Sequence, residues 1–449
     1  MSKPRITPYS LLSMLAGLVV ATAEPVPAPT LPTTLDLPQA LAMAMEHNPE
    51  INEARERIRE QEGVLEVSLS SRRPDINGFG TYTWEEDTRT GSFGGPVTPD
   101  DTYWRAGIEL TQPLYAGGVL NAAVRSRRFE LEALLQQVKA TEARVMADVY
   151  RKYYNALLAR EIIAVRRESM ALLENQRQLA RNRFEAGAGA RFDVLQADVR
   201  VANARPPLIR AENDYLVAID DLRTTLGAVF PDQATPADIT LSDRWNQPEL
   251  TMDLPSAIQQ AVAERPEMQQ AIMAREAARE WVRRVSRQRA PQINFFANYA
   301  AENDRFAAES TTLDGWQAGV SASLRIWEGG RIRGEVAQAQ SQYDQRKLQE
   351  QTLRLDIELE VRTAWTGAAE ARAILDASMQ TSDLATEALR LAENRYAAGA
   401  ITQLDVLTSQ LELTQAKLER ITAERNYALA FIDLERATGR LIPPDSDVK

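Results

Sequence analysis

Residues 112–118 read Gln-Pro-Leu-Tyr-Ala-Gly-Gly, and they separate two kinds of sequence pattern. From Tyr103 up to this stretch, apolar and polar residues alternate, which predicts a β-strand. From Val119 to Ala186 there is no proline, and apolar residues recur every three or four positions, as in a coiled coil. A helix of about 68 residues is ~100 Å long, far longer than the helices of globular domains. The stretch therefore predicts a mainly α-helical fold with a small β part.

This junction occurs twice in the chain. Glu328-Gly329-Gly330 follows Ala116-Gly117-Gly118 by 212 residues, and a second proline-free stretch runs from Arg331 to Ala398. Landmarks before the junction recur 217 residues apart, so we expect the second copy to have a surface loop that is five residues shorter. The chain is therefore predicted to be an internal duplication. The other repeated landmarks are Asp36-Leu37-Pro38 with Asp253-Leu254-Pro255, Pro49 with Pro266, Asn182-Arg183-Phe184 with Asn394-Arg395-Tyr396, Gly187 with Gly399, Asp193-Val194-Leu195 with Asp405-Val406-Leu407, and Gly227 with Gly439.

These landmarks divide the chain into two structural repeats. We predict a signal peptide over 1–23, a proline-rich linker over 24–34, a first repeat over 35–230, an inter-repeat linker over 231–251, a second repeat over 252–440 and a tail over 441–449. Each repeat begins with a short helix and a second helix. The predicted strand pairs are 75–113 and 292–327, the long helices 118–186 and 330–398, and the return helices 190–227 and 402–439.

The N-terminus and the composition restrict the function. Lys3 and Arg5 precede an apolar stretch and the small residues Ala21-Thr22-Ala23, which is typical of a secretory signal peptide. The chain has no cysteine and His47 is its one histidine, which excludes thiolate and histidine-rich metal sites and leaves little for a nucleophilic triad. The net charge of −11, which loss of Lys3 and Arg5 makes more negative, argues against nucleic acid as a partner. We expect no cofactor.

The period-two segments have the length of membrane-spanning strands. Tyr103–Gln112 and Trp316–Ile326 place apolar residues at even positions and mostly polar or small ones at odd positions, over the 9–11 residues of a tilted span. A soluble sheet with one face on a core is the alternative for these segments. Four strands cannot close a barrel, so membrane insertion would require two or three chains together. Strand geometry leaves that choice open.

The helical stretches also have two interpretations. Gly187 and Gly399 are suited to reversing a long helix into its return helix, which predicts two helical hairpins. A structural coiled-coil rod would show the same heptads. In the first return helix, Pro206-Pro207 predicts a kink or a break, because each proline removes a backbone hydrogen-bond donor.

The ordered set of these motifs resembles the TolC family of outer-membrane efflux and secretion channels. The resemblance covers nearly the whole mature chain and is most specific at residues 112–118 and at the two hairpin ends. It implies a homotrimer with a 12-stranded barrel in outer-membrane lipid and a 12-helix tunnel across the periplasm. It also implies a periplasmic adaptor protein and an inner-membrane transporter as partners, in efflux or type I secretion.

The resemblance further implies a gate at the periplasmic end. Asp405 matches an acidic ring position, whereas Thr408 stands where the family has a second acidic residue. Tyr396 matches a closing tyrosine whose acceptor carboxylate matches Asp193, and Ile401 replaces the basic residue of that latch. The hairpin ends would contact the adaptor, through Gly187, Gly189, Gly399 and Ala400.

The function predicted from these observations is a passive export duct, with no catalytic residues. A periplasmic adaptor is the main alternative, but an adaptor has one helical hairpin and this chain repeats hairpin and strand pair. A coiled-coil scaffold would not need the four period-two segments. A carboxylate-based hydrolase is disfavoured because the acidic residues lie mostly at helix-surface spacing. The cargo, whether drug, protein or metal ion, is not encoded in a recognisable motif.

Overall fold

The fold was analysed in a computed structural model that describes residues 29–84, 102–231, 235–243, 245, 248–249, 251–303 and 312–441. The predicted signal peptide, most of both interstrand loops, and residues 442–449 lie outside the described residues.

Both halves of the chain have the same order of elements. The first half contains β1 (Thr34–Leu35), α1 (Leu37–His47), α2 (Pro49–Ser70), β2 (Asp75–Trp84), β3 (Thr102–Tyr115), α3 (Val119–Glu185) and α4 (Arg191–Leu226). The second half contains β4 (Thr240–Leu241), α5 (Leu254–Glu264), α6 (Pro266–Ser286), β5 (Gln292–Asn303), β6 (Thr312–Ser323), α7 (Arg331–Ala397) and α8 (Gln403–Ala437).

Glycines in the left-handed backbone conformation mark the ends of the long helices in both repeats. Gly118 precedes α3 with a φ of 80° and Gly330 precedes α7 with a φ of 88°. Gly187 and Gly399 follow the same two helices with φ values of 76° and 73°. A side chain is strained at such φ values, so the repeated glycines fix where each long helix begins and ends.

The four longer strands form one antiparallel sheet in the order β2-β3-β5-β6. Ile108 pairs with Tyr299, which pairs with Trp316, so these three side chains lie in one row on one face. They are 57%, 52% and 79% exposed. The other face carries polar side chains such as Arg105 and Glu302, which are paired across the sheet. The apolar face of this sheet is thus exposed. In a soluble sheet, the apolar face would instead pack on a core.

The last strand is shorter than the sequence predicts. Alternation continues to Ile326, but β6 ends at Ser323. Ser323 pairs with Gln292, where β5 begins, so residues 324–327 have no partner strand within the described chain. Ile326 and Trp327 are 92% and 86% exposed.

The helices form a row below the sheet. α3 packs against α4 on one side and α8 on the other, and α8 packs against α7, so that α4 and α7 occupy the two ends of the row. Nearer the sheet, α2 packs on α3, and α6 packs between α3 and α7. None of the described helices has an apolar stretch long enough to cross a membrane.

A buried core joins the inter-repeat linker to the first repeat. The Tyr153 hydroxyl lies 3.1 Å from the Leu35 carbonyl oxygen and 2.9 Å from a carboxylate oxygen of Asp243. In the second repeat, Trp365 stands at the position of Tyr153 and its indole N–H donates to the Met252 carbonyl oxygen at 3.0 Å. Both repeats therefore bond an aromatic side chain of the long helix to the backbone before the short helix.

The predicted break at Pro206-Pro207 does not occur, because α4 continues through both prolines. Val201 before them and Ala211 after them are both buried. An interior proline costs a helix about 3 kcal/mol. We attribute the continuity to packing of α4 along α3 on both sides of the prolines.

Candidate functional site

The hairpin ends contain the residues that the resemblance selects, and both ends are built in the same way. After α3, the Ala188 N–H donates to the Arg183 carbonyl oxygen at 2.8 Å. After α7, the Ala400 N–H donates to the Arg395 carbonyl oxygen at 2.9 Å. Together with the left-handed glycines, these bonds are the usual way to satisfy the last carbonyl groups of a helix.

The predicted adaptor-contact residues lie at the surface of these turns. Gly187, Gly399 and Ala400 are exposed, and a Cβ atom added to either of those glycines would meet nothing within 4 Å. An added Cβ at Gly189 would instead lie 3.2 Å from the Cβ atom of Arg183. Gly189 therefore allows a close approach of the chain to the end of α3.

Asp193 and Asp405 are each the third residue of a return helix, and each caps its N-terminus. The Asp405 carboxylate accepts hydrogen bonds from the Thr402 N–H at 2.8 Å and the Thr402 hydroxyl at 2.7 Å. The bond from the Thr402 hydroxyl, with that from its N–H, lowers the pKa of Asp405 below its usual range. Asp193 accepts one such bond, from the Ala190 N–H at 3.3 Å. Both carboxylates thus have a local structural role besides any role in an aperture.

Thr408 lies one turn after the Asp405 cap. Its hydroxyl donates to the Leu404 carbonyl oxygen at 3.0 Å, and the side chain is exposed. Thr408 therefore adds an uncharged, exposed group to the acidic end of α8.

Tyr396 is bonded to a residue that the sequence did not select. Its hydroxyl accepts a hydrogen bond from the Arg183 guanidinium, whose central carbon lies 4.8 Å from the ring centroid of Tyr396. The Asp193 carboxylate, which the resemblance pairs with Tyr396, accepts a hydrogen bond at its own helix terminus, from the Ala190 N–H. Arg183 is thus a basic residue in contact with Tyr396, whereas Ile401 is apolar.

Arg183 and Tyr396 both line a cavity between the two hairpin ends. The cavity has a volume of about 280 Å³. Its polar lining comes from both repeats and comprises Gln176, Arg183, Asp193, Glu393, Tyr396 and Gln403. Asp193 and Tyr396 are therefore neighbours in one cavity, whereas Asp405 and Thr408 do not line it.

A seam between α3 and α8 continues from this cavity towards the linker core. The Lys417 ammonium donates to both carboxylate oxygens of Glu168 at 2.8 Å. One turn nearer the tip, the Thr414 hydroxyl lies 3.4 Å from the Ser169 hydroxyl. Farther from the tip, the Arg425 guanidinium donates to the Asn155 side-chain oxygen at 3.0 Å. Polar contacts therefore join the two repeats along this seam.

A larger cavity of about 720 Å³ lies between α3, α6 and α7. Its lining is rich in glutamine and alanine and includes none of the predicted site residues. In the described part of the chain, no group of three or more His, Cys, Asp or Glu side chains has an arrangement that would hold a metal ion.

Comparison with known sequences decides the family. The sequence matches the family described as "Outer membrane efflux protein" over residues 40–228 and 257–440. The chain belongs to the outer membrane efflux protein family. The chain is thus an outer-membrane export channel protein, and its helical hairpins form the periplasmic part.

Members of the outer membrane efflux protein family resemble the chain over most of its length. Outer membrane efflux protein BepC of Brucella suis is 26% identical over 404 residues, which cover 90% of this chain and 85% of BepC. Outer membrane protein TolC of Escherichia coli is 22% identical over 430 residues, covering 91% and 83%. The crystal structure of the CmeC outer membrane channel of Campylobacter jejuni superposes with a TM-score of 0.77 at 16% identity, covering 92% and 87%. The last similarity concerns the fold.

Proposed function

We propose that three copies of this chain close into one passive export duct through the outer membrane and the periplasm. The proposal rests on one observation: within one copy, both the sheet and the row of helices have two outer elements with a neighbour on one side. Strands β2 and β6 are the edge strands, and α4 and α7 are the edge helices.

The sheet edges are suited to pairing between copies. Neighbouring strands are antiparallel throughout, so β2 and β6 run in opposite directions. The β6 edge of one copy can therefore continue the antiparallel ladder with the β2 edge of the next. A closed sheet has no open edge, which is what a lipid environment demands of an exposed apolar sheet.

Each edge helix carries a stripe of exposed apolar side chains, most of which lie on one face. Such stripes indicate helix faces that another helix covers. On α4 the exposed apolar side chains are Phe192, Leu195, Val199, Ile209 and Val217. On α7 they are Leu348, Leu355, Leu359, Ile374, Met379, Leu384 and Leu391. Packing of α4 from one copy on α7 of the next would bury both stripes.

Each copy contributes four strands to the sheet and four helices, α4, α3, α8 and α7, to the row. Three copies therefore give twelve strands and twelve helices. Helices packed about 10 Å apart in a ring of twelve enclose a tunnel of ~38 Å between opposite axes. Two copies would give eight strands and a much narrower tunnel. A trimer is therefore the assembly that agrees with both a closed sheet and a wide duct.

At the periplasmic end we assign Asp405, Tyr396, Asp193 and Thr408 to an aperture. An exposed, ionised Asp405 from each copy would surround the axis with negative charge and attract cations. The exposed turns at Gly187, Gly189, Gly399 and Ala400 would contact a periplasmic adaptor protein, which connects the duct to an inner-membrane transporter. Because the transporter supplies the energy, the chain itself needs no catalytic residue and no cofactor.

The oligomer test uses the detergent-extracted outer-membrane fraction. We expect a trimeric mass, and single-channel conductance from the same sample in a planar bilayer. Leu355→Glu places a charge in the α7 stripe and should abolish the trimer, whereas Leu355→Met keeps the stripe apolar and should leave it intact. A monomer or dimer without conductance in the wild-type chain would refute the proposal.

A further inference from the structure

The side-chain amide of Gln410, in the α3–α8 seam, has no hydrogen-bond partner among the described residues. Gln410 precedes Thr414 by one helical turn and Lys417 by two, which places it on the face of α8 that these residues turn towards α3. It is 3% exposed. Neither the nitrogen nor the oxygen of its side-chain amide has a partner among the described residues.

The facing part of α3 has the same property. Gln176 and Arg177 lie two turns beyond Ser169, which contacts Thr414, so they continue the face of α3 that packs on α8. The buried side-chain oxygen of Gln176 and the buried Nε of Arg177 also lack partners within the described chain. Unpaired buried polar atoms therefore accumulate on both sides of the seam.

We infer that Gln410 destabilises the closed seam and thereby sets how readily the second hairpin separates from the first. A buried amide without partners has lost its hydrogen bonds to water and gained none in return. When α8 moves away from α3, water reaches the amide and that penalty disappears. Gln410 is thus a positioning residue of the aperture, acting on the closed form alone, and the inference rests on the aperture assigned above.

The part of the seam around Gln410 lies between two sets of polar contacts that join the repeats. On the tip side, Arg183 bonds to Tyr396. On the other side, Thr414 contacts Ser169 and Lys417 bonds to Glu168. The unsatisfied atoms of Gln176, Arg177 and Gln410 lie between these contacts, so breaking the tip contact releases the part of the seam that gains most from hydration.

The test compares two variants of Gln410 with a matched control. Gln410→Met keeps the length of the side chain and removes the unpaired polar atoms, so it should favour the closed seam. Gln410→Lys buries an ammonium group on the side of the seam that faces Arg177 and should favour the open seam. Gln415→Met is the control, because Gln415 is exposed and its amide donates to Glu419 on its own helix at 2.8 Å.

The readout is an introduced cysteine in the seam. The chain has no native cysteine, and Ala180 is 6% exposed on α3, one turn beyond Gln176. In the Ala180→Cys background, labelling by a water-soluble maleimide should be about tenfold slower with Gln410→Met, faster with Gln410→Lys, and unchanged with Gln415→Met. Single-channel openings should become rarer by the same factor in the first variant.

An unchanged labelling rate in the Gln410→Met chain, or a slower rate in the Gln410→Lys chain, would overturn the inference. Failure of the proposed duct gives a different result. A wild-type chain that neither trimerises nor conducts would refute the duct, while the labelling rates of the cysteine at position 180 would still report whether Gln410 weakens the seam.

Discussion

The guanidinium of Arg183, on the first hairpin, donates a hydrogen bond to the hydroxyl of Tyr396, on the second, and lies over its aromatic ring. Arg183 precedes the left-handed Gly187 by four residues, and Tyr396 precedes Gly399 by three. The contact therefore holds the ends of the two hairpins together. Because a charged donor and an aromatic face act at once, we regard it as the main attachment between the hairpin tips.

Arg183→Ala should open the aperture. Loss of a charge-assisted bond and of the ring contact should raise the resting conductance or the opening frequency of the trimer by roughly tenfold. Tyr396→Phe should have a smaller effect, because the ring remains beneath the guanidinium. Single-channel recording measures both.

Arg181→Ala is the matched control for the change at Arg183. Arg181 lies two residues earlier on α3 and bonds to Asp198 of its own hairpin at 2.8 Å. Its loss should leave the conductance unchanged. Equal effects of the two alanine variants would show that the contact with Tyr396 does not hold the aperture.

Covalent links at two positions along the α3–α8 seam should show which part of the seam moves when the channel opens. A short thiol-reactive linker between cysteines in Arg183→Cys/Tyr396→Cys should keep the channel closed, because it ties the hairpin tips together. A disulfide in Ser169→Cys/Thr414→Cys should still permit opening, because hydrogen bonds and an ion pair already hold α8 against α3 at that position. Conductance before and after reduction or linking measures both results.

Each single-cysteine variant serves as a control for these links, and the absence of native cysteine keeps the chemistry specific. If the disulfide in Ser169→Cys/Thr414→Cys kept the channel closed, the moving part of the seam would lie farther from the tip than we infer.

The sequence predicts the fold well because its landmarks act locally. The long helix predicted over 118–186 spans Val119–Glu185, since the glycines that flank it take left-handed conformations that a helix cannot include. Asp36 and Pro38 likewise start α1 through a capping box and a proline in the first turn. Such signals depend on a few neighbouring residues and need no knowledge of the rest of the chain.

The candidate site is less predictable because it depends on how the two repeats pack side by side. Phe184 and Tyr396 occupy matching positions, but only the tyrosine has a hydroxyl for the arginine of the other repeat. The repeated Asn-Arg-Phe and Asn-Arg-Tyr motifs show the arginine, yet they do not show which aromatic residue it meets. The end of β6 at Ser323 is not predictable from its own sequence for a similar reason, since it depends on where β5 begins.

Asp405→Asn should weaken the inhibition of the channel by divalent cations. The Asp405 carboxylate is fully exposed, and its hydrogen bonds with Thr402 lower its pKa, so it carries charge at neutral pH. Three such charges around one axis would bind a cation, and the amide would not. Conductance as a function of cation concentration measures the change.

Thr402→Ala separates the charge of Asp405 from its role at the helix terminus. It removes the hydroxyl bond while leaving the carboxylate, so cation inhibition should persist although the pKa of Asp405 rises towards its usual range. If Thr402→Ala and Asp405→Asn reduced the inhibition equally, the helix cap rather than the charge would be the cause.

Stability at high pH should depend on Tyr154, whose side chain is 3% exposed in the core that joins the linker to the first repeat. Burial, with smaller contributions from Tyr150 and Asp243, raises the pKa of Tyr154 from 10.0 to about 12. The folded chain therefore favours the neutral phenol, and the stabilisation from this group is complete below pH 10. It is lost as the pH rises from 10 towards 12, by roughly 2–3 kcal/mol in all.

Tyr154→Phe cannot ionise, so its melting temperature in detergent should fall less than that of the wild-type chain between pH 10 and pH 12. Tyr343→Phe removes a hydroxyl from α7, outside that core, and should follow the wild-type curve. If the Tyr154→Phe and wild-type chains lost stability in parallel over this range, the alkaline sensitivity would have to come from other groups of the core, with Tyr153 next to be tested because burial raises its pKa as well.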